Sequence, residues 1–104
     1  MAAYNVVRVR VKSEREKEFI ELNKAPDKDM VESMKKNGGR RSVLIRTGER
    51  SYCIIGEWDD MDSLAKARPI MIKQLDRMRD MLEDLGGGLG VTDPVSGEVV
   101  AEFS

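Results

Sequence analysis

From Tyr4 to Lys12 the chain alternates, with Val7, Val9 and Val11 on one side and Arg8, Arg10 and Lys12 on the other. A period of two marks a strand with one face buried and one face wet, so the chain opens on a strand. Ser13 followed by Glu16 has the spacing of a capping box, and Glu14 adds negative charge to the first turn. The helix predicted from this cap runs through Phe19, Ile20 and Leu22 until Pro26 interrupts it. Asp27 to Lys36 reads as a second helical piece, with Met30, Val31 and Met34 on one side and Asn37-Gly38-Gly39 as its stop; a loop is the alternative.

Extended structure returns around Val43, Leu44 and Ile45, between Arg41 and Arg46, and again from Ser51 to Trp58. The compact Thr47-Gly48-Glu49-Arg50 connection makes these two strands a hairpin. Asp59, Asp60 and Asp62 crowd the next helix start, where carboxylates cap free amides. Ser63 to Arg68 gives a short helical turn, and Pro69 then starts or kinks a longer helix. Met71, Leu75, Met78, Leu82 and Leu85 form one apolar stripe along it, and Gly86 to Gly88 end it. Two short extended runs, Leu89 to Thr92 and Glu98 to Phe103, flank Asp93-Pro94-Val95-Ser96-Gly97 and predict a terminal hairpin.

This order is that of an α+β, ferredoxin-like βαββαβ domain, with an antiparallel sheet and both helices on one face. The strands around Val43 to Ile45 and Cys53 to Ile55 are apolar at consecutive positions, so both faces of the sheet need cover. A second copy of the chain is the simplest cover, and a homodimer through the open sheet face is expected. At 104 residues the chain is expected to be one domain, residues 1–104.

Charge narrows the partners. Eighteen basic and 19 acidic side chains leave a net charge of -1, without the basic surplus that phosphate binding requires, so no nucleic-acid partner is expected. No apolar run reaches membrane-spanning length and none at the N-terminus reads as a signal, which predicts no membrane association and a cytoplasmic location. Cys53 is the only cysteine, so neither an intramolecular disulfide nor a thiolate metal cluster can form. Histidine is absent altogether, which removes the commonest general base and metal ligand. No cofactor and no metal are therefore expected, and no complete catalytic constellation is visible.

Glu57-Trp58, then Asp59-Asp60-Met61-Asp62-Ser63-Leu64, then Pro69 and the Met/Leu helix, form a pattern that resembles the antibiotic biosynthesis monooxygenase family and its dimeric α/β-barrel relatives. The opening Val-rich strand with Ser13-Glu14-Arg15-Glu16 and Phe19 is similar to the family's first strand and helix start, so the likeness covers roughly residues 4 to 93. The resemblance implies two sheets facing each other as a barrel, with a pocket in each protomer between sheet and helices. It also implies cofactor-free monooxygenation of a small aromatic or quinol-like compound, which relies on the substrate's own carbanion. A non-catalytic barrel that binds a small ligand or supports another protein is the alternative. The chain departs from the family where a histidine often stands: Lys66, Ala67, Arg68 and Ile70 occupy that neighbourhood. Haem-degrading relatives use an Asn on the first strand, a Trp on the short helix and a His on the long one, and only Asn5 has a counterpart here.

The candidate substrate-binding residues are Asn5, Tyr52, Trp58, Arg8 and Arg10. Asn5, Tyr52 and Trp58 have polar tips, although Trp58 also suits a sheet-end anchor and Tyr52 a tip turned to water. Gly56 shares a strand face with them, and a glycine there marks a bulge or a close approach. Arg8 and Arg10 are expected either in cross-strand pairs with Glu57 and Glu102 or as an anion site. Cys53, on the opposite face, reads as a small buried hydrophobe. A polar-tipped pocket between sheet and helices favours an enzyme; a space filled by Met71, Leu75, Met78 and Leu82 opposes one.

Overall fold

The computed structural model describes residues 1–103. Its four strands are β1 (Ala3–Arg10), β2 (Gly39–Gly48), β3 (Ser51–Trp58) and β4 (Asp93–Glu98), arranged β2-β3-β1-β4 with every neighbouring pair antiparallel. Three helices, α1 (Glu16–Lys24), α2 (Lys28–Lys36) and α3 (Met61–Asp76), complete the ferredoxin-like α+β fold. Among the described residues, no helix is long and apolar enough to cross a membrane.

Antiparallel register places Val9 opposite Tyr52, Val7 opposite Ile54 and Asn5 opposite Gly56, all on the face that meets the helices. Val7 and Val9 of β1 and the even residues of β3 thus supply the sheet's side of the core. One core cluster joins Val7, Val9, Val11, Phe19, Tyr52, Met78, Met81 and Leu82; a second joins Ala3, Trp58, Leu64 and Ala67. On the opposite face a row of Val43, Ile55, Val6 and Val95 crosses all four strands. Val95 in that row is 63% exposed, and Val43, Ile55 and Val6 are partly exposed.

Several elements differ from the sequence expectation, each for a physical reason. Ser13 does not cap α1: the N-cap is Arg15, which makes no side-chain cap bond, and Glu14 sits in a left-handed turn at φ 72°. Glu16 instead accepts a hydrogen bond from the Tyr52 hydroxyl, so its carboxylate ties the helix to the sheet. Asp27 does cap α2, accepting from the backbone amides of Asp29 and Met30, which settles that segment as helix.

Pro69 does not start a helix; α3 runs through it. Leu64 and Ala67 are buried before the proline, while Met71 and Leu75 pack on the core after it. Packing on both sides offsets the lost backbone bond, a penalty of about 3 kcal/mol. The helix ends at Asp76, well before Leu85, and a 3-10 turn follows at Arg79–Met81. There the end of β1 competes for the backbone. Lys12 N–H donates to Met81 O, Glu83 N–H donates to Arg10 O, and Val11 and Leu82 form an isolated bridge.

The terminal hairpin is also absent. Asp93–Glu98, which the sequence suggested as its turn, is β4 itself, paired along β1. Pro94 lacks an N–H, and an edge strand tolerates that loss.

Asp60 caps α3 by accepting from Ser63 N–H at 2.7 Å, and this bond holds its carboxyl below the usual carboxylate range. A depressed folded-state pKa contributes stability that is present above the unfolded value and lost as pH falls through the folded one. Asp60→Ala is therefore expected to lower the thermal midpoint at neutral pH. The wild-type advantage shrinks once pH drops below about 4, and thermal melts of both proteins from pH 7 to pH 3 check this.

Candidate functional site

A cleft of about 670 Å³ opens between the helix-facing side of the sheet and α2 and α3. Val7, Leu44, Ile54, Leu64, Met71 and Leu75 line much of it. Of the four residues whose packing would have filled the space, Met71, Leu75 and Met78 stand in its wall, and Leu82 is buried in the adjoining core. The methionine and leucine stripe thus bounds a space and leaves it open. Its helical part arises because Asp60 fixes the start of α3 and Leu64 and Ala67 seat it on the sheet.

Asn5, Gly56 and Trp58 form the most structured polar feature in the cleft. Trp58 is 3% exposed, and its Nε1–H donates to Asn5 Oδ1 at 2.7 Å. An indole N–H can only donate, so this bond fixes which end of the Asn5 amide faces the tryptophan. The amide nitrogen is left with two donors and, among the described residues, no protein acceptor. Asn5 lines the cleft, so those donors are available to a ligand oxygen.

Gly56 makes this arrangement possible. It sits in unbroken register between Asn5 and Ser42, without a bulge. A Cβ at Gly56 would collide with Asn5 Oδ1 and lie 3.0 Å from Trp58 Nε1. The side-chain bond therefore passes directly over the glycine.

The other three candidates lie elsewhere. Tyr52 shares the strand face of Gly56 and Trp58 but is 2% exposed and outside the cleft wall. Its hydroxyl donates to Glu16 at 2.7 Å and accepts from Arg46 Nη2 at 3.1 Å, while its ring stacks obliquely on Phe19. Burial, reinforced by Glu16 and opposed by Arg46, raises the phenol pKa, so the group stays protonated and acts as an anchor. Its tip does not point to water, because α1 and β2 bring partners over it.

Arg8 and Arg10 project from the opposite face of the sheet. Arg8 pairs with Asp93 at 2.5 Å, neither with Glu57 nor with Glu102. Glu57 pairs with Arg40 at 3.5 Å, and Glu102 lies in the exposed tail after β4. Arg10 has no ion-pair partner among the described residues. The expected pairing fails because β4 occupies residues 93–98, which places Asp93 opposite Arg8.

The cleft also contains Lys35, whose charge reads from sequence as a solvated one, and residues that sequence patterning did not single out as ligand contacts, among them Ser42, Arg68 and Ser96. Ser42 and Ser96 fall in the same cross-strand rows as Gly56 and Asn5, which only the register reveals. Among the described residues, no three His, Cys, Asp or Glu side chains gather into a metal-ion site.

No family model matches the sequence, and no curated protein does. Solved structures do. A dimeric ferredoxin-like protein from an uncultured marine organism aligns with a TM-score of 0.74 at 19% identity, covering 99% of this chain and 91% of that one. A Nitrosomonas europaea protein named for antibiotic biosynthesis monooxygenase aligns with a TM-score of 0.70 at 12% identity, over 95% and 90% of the two chains. The fold is shared with solved structures named for antibiotic biosynthesis monooxygenase. SnoaB, a cofactor-independent oxygenase from Streptomyces nogalater, aligns with a TM-score of 0.68 at 17% identity, over 97% and 95% of the chains. At these identities the likeness is one of architecture.

Proposed function

We propose that the chain is a cofactor-independent monooxygenase acting on a small aromatic or quinol-like compound in the cleft beside Asn5. The observation that carries this reading is the Asn5 amide, locked by Trp58 over Gly56 with its two N–H donors free in an apolar cleft. The oxygenase activity named for SnoaB, on the same fold, supports it.

The chemistry needs little from the protein. An anthrone or quinol loses a proton from an activated C–H or O–H, and the resulting carbanion or phenolate is the electron donor to O₂. The carbanion adds O₂ to form a peroxide at the ring carbon, and its O–O bond breaks as the second C–H proton leaves. One oxygen stays as the new carbonyl and the other departs as water, with all four electrons and both protons supplied by the substrate's two C–H bonds. The Asn5 amide donates to the substrate oxygen on which negative charge develops, and the low-polarity wall strengthens that bond. Among the described residues Glu57 is the one carboxylate in the wall, and Arg40 engages it. Proton loss therefore draws on the substrate's own acidity. An anthrone incubated with the protein is expected to consume one O₂ per molecule faster than in buffer. Uptake at the buffer rate with anthrones and quinols alike contradicts the reading.

The molecule acts as a homodimer in this account, like its marine relative. The Val43-Ile55-Val6-Val95 row is the contact, because it is apolar, continuous and at least partly exposed. Wild-type protein at micromolar concentration is expected to have twice the 11.7 kDa chain mass. Ile55→Asp, which puts a charge at the centre of the row, is expected to run as a folded monomer. Light scattering with circular dichroism checks both; a monomeric wild type removes the barrel.

A further inference from the structure

We infer that the ligand of this cleft carries a carboxylate, held by Lys35 and Arg68, on an otherwise flat, apolar body. The inference rests on the reading of the cleft as a ligand site and adds the ligand's charge. In a chain of 18 basic and 19 acidic residues, the cleft wall holds Lys35, Arg40, Arg41, Arg68 and Arg79 against, among the described residues, a single carboxylate, Glu57. Charge is thus balanced over the chain but not at the cleft.

Ion pairs remove some of these cations. Arg40 pairs with Asp59 at 2.6 Å and with Glu57, and Arg79 pairs with Asp76 at 2.7 Å. Arg41 stands opposite Glu57 in register, on the face away from the helices. Lys35 on α2 and Arg68 on α3 remain, each without an ion-pair partner among the described residues. Both are exposed, so neither carries a burial penalty that an internal carboxylate must offset. They come from the two helices that cover the cleft across from the sheet.

A planar guanidinium donates two parallel hydrogen bonds to a carboxylate, and an ammonium adds a point charge beside it. The ligand's apolar body then lies against Leu64, Met71 and Leu75, with its far oxygen toward the Asn5 amide. Because both cations are solvated, the attraction is moderate and sensitive to salt.

The test compares anthraquinone-2-carboxylate with its neutral analogue anthraquinone-2-carboxamide, titrated into the protein at low salt. Trp58, the only tryptophan, lines the cleft and reports binding by fluorescence quenching. The carboxylate is expected to bind about five- to tenfold more tightly, as two exposed ion pairs allow. In the double variant Lys35→Gln, Arg68→Gln the ratio falls to about one, while Lys36→Gln, outside the cleft wall, leaves it unchanged. Equal binding of both probes, or a ratio the double variant keeps, overturns the carboxylate and leaves the cleft reading standing. Failure of both probes to quench overturns the two together.

Discussion

Replacing Phe19 by alanine is expected to destabilise the fold by about 3–5 kcal/mol, the range for a buried aromatic truncated in a core that cannot fully collapse. Phe19 is fully buried and is the one buried residue of α1. Its ring lies 5.2 Å from that of Tyr52, tilted by 52°. At nine residues α1 is too short to persist alone, so packing through this ring and the Tyr52–Glu16 bond hold it on the sheet. A domain of this kind has about 5–15 kcal/mol of stability in total, so the loss is a large share of it. Urea denaturation measures it. Tyr52→Phe, which removes the hydroxyl and keeps the ring, is expected to cost only about 0.5–1.5 kcal/mol. A Phe19→Ala loss no larger than that would place the anchor of α1 elsewhere.

Gly56→Ala is expected to have the largest effect on the cleft for the smallest change in sequence. The added methyl meets Asn5 Oδ1 and Trp58 Nε1 head-on, and backbone pairing on both sides prevents β3 from moving away. The Asn5 amide must therefore swing out and release the tryptophan. Overpacking of this kind costs about 1–3 kcal/mol, which leaves the protein folded. Loss of the aligned donor is expected to slow anthrone oxidation about 100-fold, in the range found when one oxyanion donor is removed. The Trp58 indole N–H resonance reports the event independently of turnover. It shifts and exchanges faster in the variant if the bond breaks, and an unchanged resonance would show that the methyl is accommodated.

Local patterning conveyed what local physics determines. The alternation of Val7, Val9 and Val11 against Arg8 and Arg10 specified β1, because an antiparallel strand with one dry face has no other way to arrange its side chains. The same argument placed Tyr52, Gly56 and Trp58 on one face of β3. Asn5 and Trp58 were each visible as polar-tipped residues. Their bond and its dependence on Gly56 follow from the register between β1 and β3, which no local pattern encodes.

The end of α3 is hidden from local spacing for a related reason. Met78, Met81 and Leu82 satisfy helical spacing and are all buried, yet the backbone of Met81 to Glu83 is taken by β1. Burial was legible there and hydrogen bonding was not. Tyr52 shows the same limit, since its hydroxyl partners come from α1 and β2. Lys35 and Arg68 read locally as solvated charges, because charged helix residues normally face water, and only the packed helices place them at a cleft.

The most direct measurement is the initial rate of O₂ consumption with a hydroxylated anthrone, wild type against Asn5→Ala, at matched concentrations in an oxygen electrode. The wild type is predicted to exceed buffer and to release quinone stoichiometrically with O₂. Asn5→Ala, folded by circular dichroism, is predicted to retain about 1% of that rate. Equal rates in the two proteins, or no enzyme-dependent uptake in the wild type, would contradict the account.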